Sequence, residues 1–257
     1  MHLPTPQPPP DTPTQRLADR RHWLRAFNLS LGFVLLLAAV FSAQEHFDVG
    51  AWAVQPGRME GLWGLLTAPL LHGSFEHLAA NAISLLILGT LALGQYPRAV
   101  WRALPLAWLG SGLGAWLLGS PGTHHLGASG LTHGLMFLVL VLGTLRRDRA
   151  AMAGAMIVFM LYGGMLLTVL PREPGISWQA HLGGAVGGVV AALLWRKVDP
   201  LPVRQRYSWE IEEDAAPRTP DELDMPAPHD VPVLWHRPVR DEERGVVLRF
   251  PTRRSGE

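Results

Sequence analysis

The sequence contains no cysteine. That removes disulfide scaffolds, thiolate metal sites and cysteine nucleophiles from consideration. Charge is scarce as well: Asp, Glu, Lys and Arg make up 17% of the 257 residues against 48% hydrophobic. What charge there is gathers toward the two ends. A soluble domain needs a polar face on each surface helix, and the middle of this chain has almost nothing to build one from, so a membrane protein is expected. The formal net charge of +1 gives no reason to expect a nucleic-acid partner.

Between the polar ends lie six apolar stretches, approximately 26–43, 78–95, 103–119, 129–145, 152–170 and 178–195. Each is close to the roughly 17–25 residues that span a bilayer as a helix. The first has too long an apolar run for a secretory h-region, and Phe41-Ser42-Ala43 lacks a small-x-small cleavage pattern, so a retained span is expected. Arg16, Arg20, Arg21 and Arg25 precede it. Arg98 and Arg102 follow the second stretch, Arg146, Arg147 and Arg149 the fourth, and Arg196 and Lys197 the sixth. The opposite loops hold only Arg58 and Arg172. This alternation predicts both termini on the cytoplasmic side and hence an even number of crossings. Residues 1–25, rich in Pro and Arg, and 198–257, polar with one strand-like run at Gly245–Phe250, are expected to be mostly disordered tails around a domain at 26–197. The outer loop at 44–71 carries Trp52, Met59, Leu62, Trp63, Leu65 and Leu66, as a loop lying in the membrane interface would.

Polar residues inside spans are costly and point to function. His72, His77 and Asn81 lead into the second span, and the last two, four apart, share a helix face. Gly127-Ala128-Ser129-Gly130 opens the fourth. Its small residues leave the serine backbone accessible, and a serine there sits beside unpaired N–H groups and the positive end of the helix dipole, which is what a developing oxyanion needs. His181 stands near the start of the sixth span. Gly130 and Gly134 on one helix, and Gly184 and Gly188 on the other, are small-xxx-small pairs that let two membrane helices meet backbone to backbone. Ser129 and His181 would then lie at the outer ends of two closely packed helices, and a serine beside a neutral imidazole is the minimal activated nucleophile.

These residues, His72-x4-His77-x3-Asn81, Gly127-Ala128-Ser129-Gly130 and Ala180-His181-x2-Gly184-x3-Gly188, resemble the rhomboid family of intramembrane serine proteases, in the family's order and on the spans where it carries them. The resemblance covers about 26–195. It implies an all-α bundle of six transmembrane helices and an endopeptidase that cuts transmembrane protein substrates near the outer membrane face; the topology with both termini inside fits the inner membrane of a bacterium, and organellar membranes stay open. It implies Ser129 as nucleophile and His181 as base and then acid. His77 and Asn81, with the Ser129 N–H, would form the oxyanion hole, and His72 would shape the site. No cofactor is implied. The sequence departs from the family at two places. Where a tyrosine commonly stacks on the catalytic histidine, four residues after the serine, it has His133, whose i+4 position points its ring back toward Ser129 and His181. Where many members carry a Trp-Arg pair, it has Trp63-Gly64.

Other readings compete. Taken singly, Ser129 is an ordinary helix cap, and His77 and Asn81 are interhelical hydrogen bonds. Several histidines fall on the outer half, but there is no H-E-x-x-H and no carboxylate within the spans, so no metal is expected. A transporter would show internal repeats or broken helices with midplane charge. Inactive rhomboid-like proteins that hold membrane clients form the remaining class. They typically lack the serine or the histidine, and this chain has both.

Overall fold

The structure, a computed structural model, describes residues 12–171 and 175–200. The run at Gly245–Phe250 lies outside the described residues. Among the described residues six long helices dominate: α1 (Pro13–Ala43), α2 (Phe75–Gln95), α3 (Pro97–Leu118), α4 (Ser129–Arg146), α5 (Arg149–Tyr162), continued by a 3₁₀ segment at Gly163–Val169, and α6 (Trp178–Trp195). Four of these are long and apolar enough to cross a membrane by length and composition: α1, α2, α4, and α5 with its 3₁₀ extension. Their lipid-facing character shows in exposed side chains such as Leu35, Leu36, Ile83, Met160 and Leu161. The protein is an all-α, multi-pass integral membrane protein.

Helices α3 and α6 fall short of that criterion for a physical reason. Among the described residues they are the most extensively packed pair of helices, and helices that meet backbone to backbone carry small residues at the contact where lipid-facing positions would carry large apolar ones. Helix α6 shows how. Its neighbouring glycines form two i, i+4 series that point about 100° apart. A Cβ on Gly183 or Gly187 would fall on the carbonyl oxygens of Gly110 and Leu106 of α3. One on Gly184 or Gly188 would fall on those of Gly130 and Gly134 of α4. The contacts with Gly130 and Gly134 form a seam between α6 and α4, and those with Gly110 and Leu106 form a second seam toward α3.

The helix starts correct several expectations. The segment up to Arg25 is helical from Pro13 onward, not an unstructured tail. Thr12 accepts the Gln15 N–H at 3.1 Å, Pro13 occupies the first turn, and the His22 ring donates to the Gly94 carbonyl at 2.8 Å. Helix α2 starts at Phe75, ahead of the apolar run, because Ser74 caps it through the His77 N–H at 3.1 Å. Helix α3 starts at Pro97, and its cap comes from far along the chain. The Asp199 carboxylate, 5% exposed, accepts the N–H groups of Arg98 and Ala99 at 3.0 Å each. The Arg146 guanidinium donates to the Asp199 carbonyl at 3.0 Å. The ordered bundle therefore runs past 197, where the tail was expected to begin.

The outer loop after α1 is a tight assembly of short helical turns. It is pinned to the α3–α4 connection by a bridge between Val54 and His125, with reciprocal bonds of 2.9 Å. The Gly127 N–H donates to the Ala68 carbonyl at 2.8 Å. In place of a Trp-Arg anchor, the Trp116 indole N–H donates to the Arg58 carbonyl at 2.9 Å. Trp63 and Met59 remain exposed. These contacts fix the approach to α4.

Candidate active site

Ser129 is the first residue of α4, where the backbone N–H groups have no intrahelical partner. The chain enters through Gly127 at φ +116°, a conformation that disfavours any side chain. Space excludes one too: a Cβ there would lie 2.5 Å from the His77 ring. Gly127 thus lets His77 sit flush against the turn leading to Ser129.

The close α4–α6 seam carries His181 to Ser129, with Nε2 2.9 Å from the serine Oγ. The other ring nitrogen, Nδ1, lies 3.0 Å from the Thr168 carbonyl oxygen. A carbonyl only accepts, so in the neutral ring Nδ1 carries the proton and Nε2 presents its lone pair to the serine hydroxyl. The His133 ring stacks on His181, with centroids 4.0 Å apart and planes 15° from parallel. His133 is itself fixed at both nitrogens. Nδ1–H donates to the Ser129 carbonyl at 2.7 Å, and Nε2 lies 2.8 Å from the Thr168 hydroxyl. Its exposure of 1% makes it part of the packed wall.

Asn81 spends one amide proton on the His77 carbonyl, at 3.0 Å, and has a second. Asn81, His77, Ser129, His133, Thr168 and His181 all line one cavity of about 1210 Å³, which extends to His125 and Ser177 near the start of α6. His72 lies behind this wall, fully buried. Its Nε2 faces the Ala128 N–H at 3.5 Å, and its ring meets that of His77 edge-on at 5.1 Å. Burial, and then the neighbouring His77, push its pKa down to about 4, so it is neutral at pH 7. Among the described residues, no group of three or more His, Asp or Glu is placed to hold a metal ion.

Ser129, His181, His77, Asn81, His133 and Gly127 are thus brought together, with His72 as a support beneath them. Gly130, Gly134, Gly184 and Gly188 form the seam that makes the meeting possible. Three contributors were not read from the sequence. Thr168 sits at the end of the 3₁₀ segment, where register is not legible from a hydrophobic run. Gln44 clasps the His72 backbone with bonds of 2.7 and 2.9 Å; a polar residue just after the first span was its only signal. Ser177 caps α6 and is held by His125 Nδ1 at 2.6 Å. Burial and His124 hold the His125 pKa below its usual value.

A family profile described as "Rhomboid domain" matches residues 59–198. An uncharacterised protein of Mycobacterium tuberculosis (strain H37Rv) is 41% identical over 198 residues, covering 72% of this chain and 81% of its own length. One from Mycobacterium leprae is 38% identical over 196 residues, covering 72% and 76%. A putative rhomboid protease of Bacillus subtilis is 30% identical over 141 residues, covering 51% and 66%.

Proposed function

The chain belongs to the rhomboid family, and from that premise we propose that it is a serine endopeptidase that cleaves transmembrane protein substrates near the outer face of the membrane. The observation that carries this reading is the 2.9 Å contact between Ser129 Oγ and His181 Nε2, with the far side of the ring held by a carbonyl. It opens on a cavity large enough for an extended peptide segment.

In this reading Ser129 Oγ attacks the scissile carbonyl as His181 Nε2 takes its proton. His181 then returns the proton to the leaving amine. The resulting acyl-enzyme is hydrolysed by water, activated by the same nitrogen. Negative charge on the tetrahedral intermediate faces the Ser129 N–H at the positive end of α4, the second amide proton of Asn81 and the His77 ring. His133 keeps the His181 ring in plane, as the family's usual tyrosine would.

The same reading places all six long helices across the membrane as one catalytic domain. Both termini are cytoplasmic, in the cell membrane of a bacterium, on the strength of the alternating Arg and Lys. The test is cleavage of a single-span model substrate by the purified protein in liposomes. Wild type should cut it and Ser129→Ala should not. Binding of the substrate without any cleavage by wild type would move the assignment to a client-binding member of the family.

A further inference from the structure

Thr168 touches both rings of the histidine stack, through different atoms. Its carbonyl faces His181 Nδ1 at 3.0 Å, and its hydroxyl faces His133 Nε2 at 2.8 Å. The hydroxyl also lies 2.8 Å from the Met165 carbonyl. His133 Nδ1 lies 2.7 Å from the Ser129 carbonyl and Nε2 lies 3.2 Å from the Met165 carbonyl; a neutral ring donates to only one of them, and the shorter contact takes the proton at Nδ1, so Nε2 accepts and the Thr168 hydroxyl proton is shared between it and Met165 O. The chain geometry explains why this carbonyl is free. Helix α5 gives way to a 3₁₀ segment that ends at Val169, and carbonyls in the last turn of a helix have no intrahelical partner. They also form the negative end of the helix dipole, which favours a cation.

From these contacts we infer that Thr168 is a positioning residue for the Ser129–His181 pair, with its carbonyl standing where a serine hydrolase triad has a carboxylate. The inference rests on the proposed protease reading. The carbonyl selects the His181 tautomer with Nδ1–H and offers a partial negative charge to the imidazolium that forms during attack. The hydroxyl, tied to His133, holds that carbonyl in line. The path runs from Ser129 O through His133 to Thr168, and from Thr168 through His181 back to Ser129 Oγ, a closed ring of contacts across α4, the 3₁₀ segment and α6.

The test compares Thr168→Val, which keeps the shape and removes the hydroxyl, with Thr168→Ser, which keeps the hydroxyl. Cleavage of the model substrate in liposomes should show kcat lowered about tenfold by Thr168→Val, with KM little changed. Thr168→Ser should stay within about twofold of wild type. In a His133→Phe background the hydroxyl keeps the Met165 carbonyl but has lost its tie to the histidine stack, so Thr168→Val should cost less than about twofold more. Ring ¹⁵N spectra of His181 should show a protonated Nδ1 and an unprotonated Nε2 in wild type, and a growing share of the other tautomer in Thr168→Val. Full activity in Thr168→Val, an undiminished tenfold loss in the His133→Phe background, or an Nε2–H tautomer in wild type would each overturn the inference. The ¹⁵N spectra need no turnover. A wild type that cuts nothing but shows the Nδ1–H tautomer would fail the protease reading and leave the positioning by Thr168 standing.

Discussion

His133 does two things that different substitutions separate. Its flat face supports His181 at 4.0 Å, and its two nitrogens tie the Ser129 carbonyl to Thr168. Phenylalanine keeps the face and loses the ties, whereas alanine loses both. The expected order of turnover is therefore wild type, then His133→Phe, then His133→Ala. Equal loss in the two variants, as deep as in His181→Ala, would make His133 a proton carrier. Asn81 is the second residue-scale case. Its remaining amide proton is the one available to an oxyanion, and losing one such donor costs about 2.7–4 kcal/mol of transition-state stabilisation. Asn81→Ala should lower kcat by a factor of that size with KM nearly constant. A change confined to KM would reassign Asn81 to substrate binding or packing.

At the scale of elements, the α4–α6 seam sets the reach between serine and histidine. A Cβ at Gly184 would fall on the backbone of Gly130, next to Ser129, so neither helix can yield without separating the pair. Gly184→Ala should cost about 1–3 kcal/mol of stability by overpacking and also lower activity. Gly32, in α1, has nothing within 4 Å of where a Cβ would stand. Gly32→Ala should be neutral or slightly stabilising, by at most about 1 kcal/mol. Thermal unfolding in detergent, with turnover measured alongside, checks both, and equal tolerance at the two sites would contradict the seam. The seam was legible because small-xxx-small spacing has a direct packing meaning. So were the bounds of α6, since the apolar stretch at 178–195 coincides with the helix. The starts of α1, α2 and α3 were not, because an apolar run marks contact with lipid while a helix starts at its cap. Thr12 and Ser74 lie ahead of the runs they cap, and Asp199 caps α3 from about a hundred residues away. Thr168 was out of reach for a related reason: its position depends on where α5 tightens into a 3₁₀ turn.

For the whole molecule, the long helices and the alternating basic residues combine into a topology that can be checked without any substrate. Reporter fusions at Asp148 and after the last helix should read cytoplasmic, and one between Gly119 and His125 should read external. Helices α3 and α6, whose composition alone does not mark them as spans, make the fusion after α6 the informative one. An external reading there would remove a crossing and place Ser129 and His181 on a different footing relative to the bilayer. The same scale shows why the site is built where it is. The outer loop, the α3–α4 connection and the start of α6 are joined by the Val54–His125 bridge and the His125–Ser177 bond. The mouth of the cavity is therefore braced by three separate segments rather than by one helix end.

The most direct measurement of the central claim is reaction with a fluorophosphonate, which modifies a serine only when a base has activated it. Mass spectrometry of the labelled wild-type protein should find the adduct on Ser129. His181→Ala, with Ser129 still present and the fold retained, should label far more slowly or not at all. Absence of the adduct in wild type, or equal labelling of wild type and His181→Ala, would contradict an activated Ser129–His181 pair.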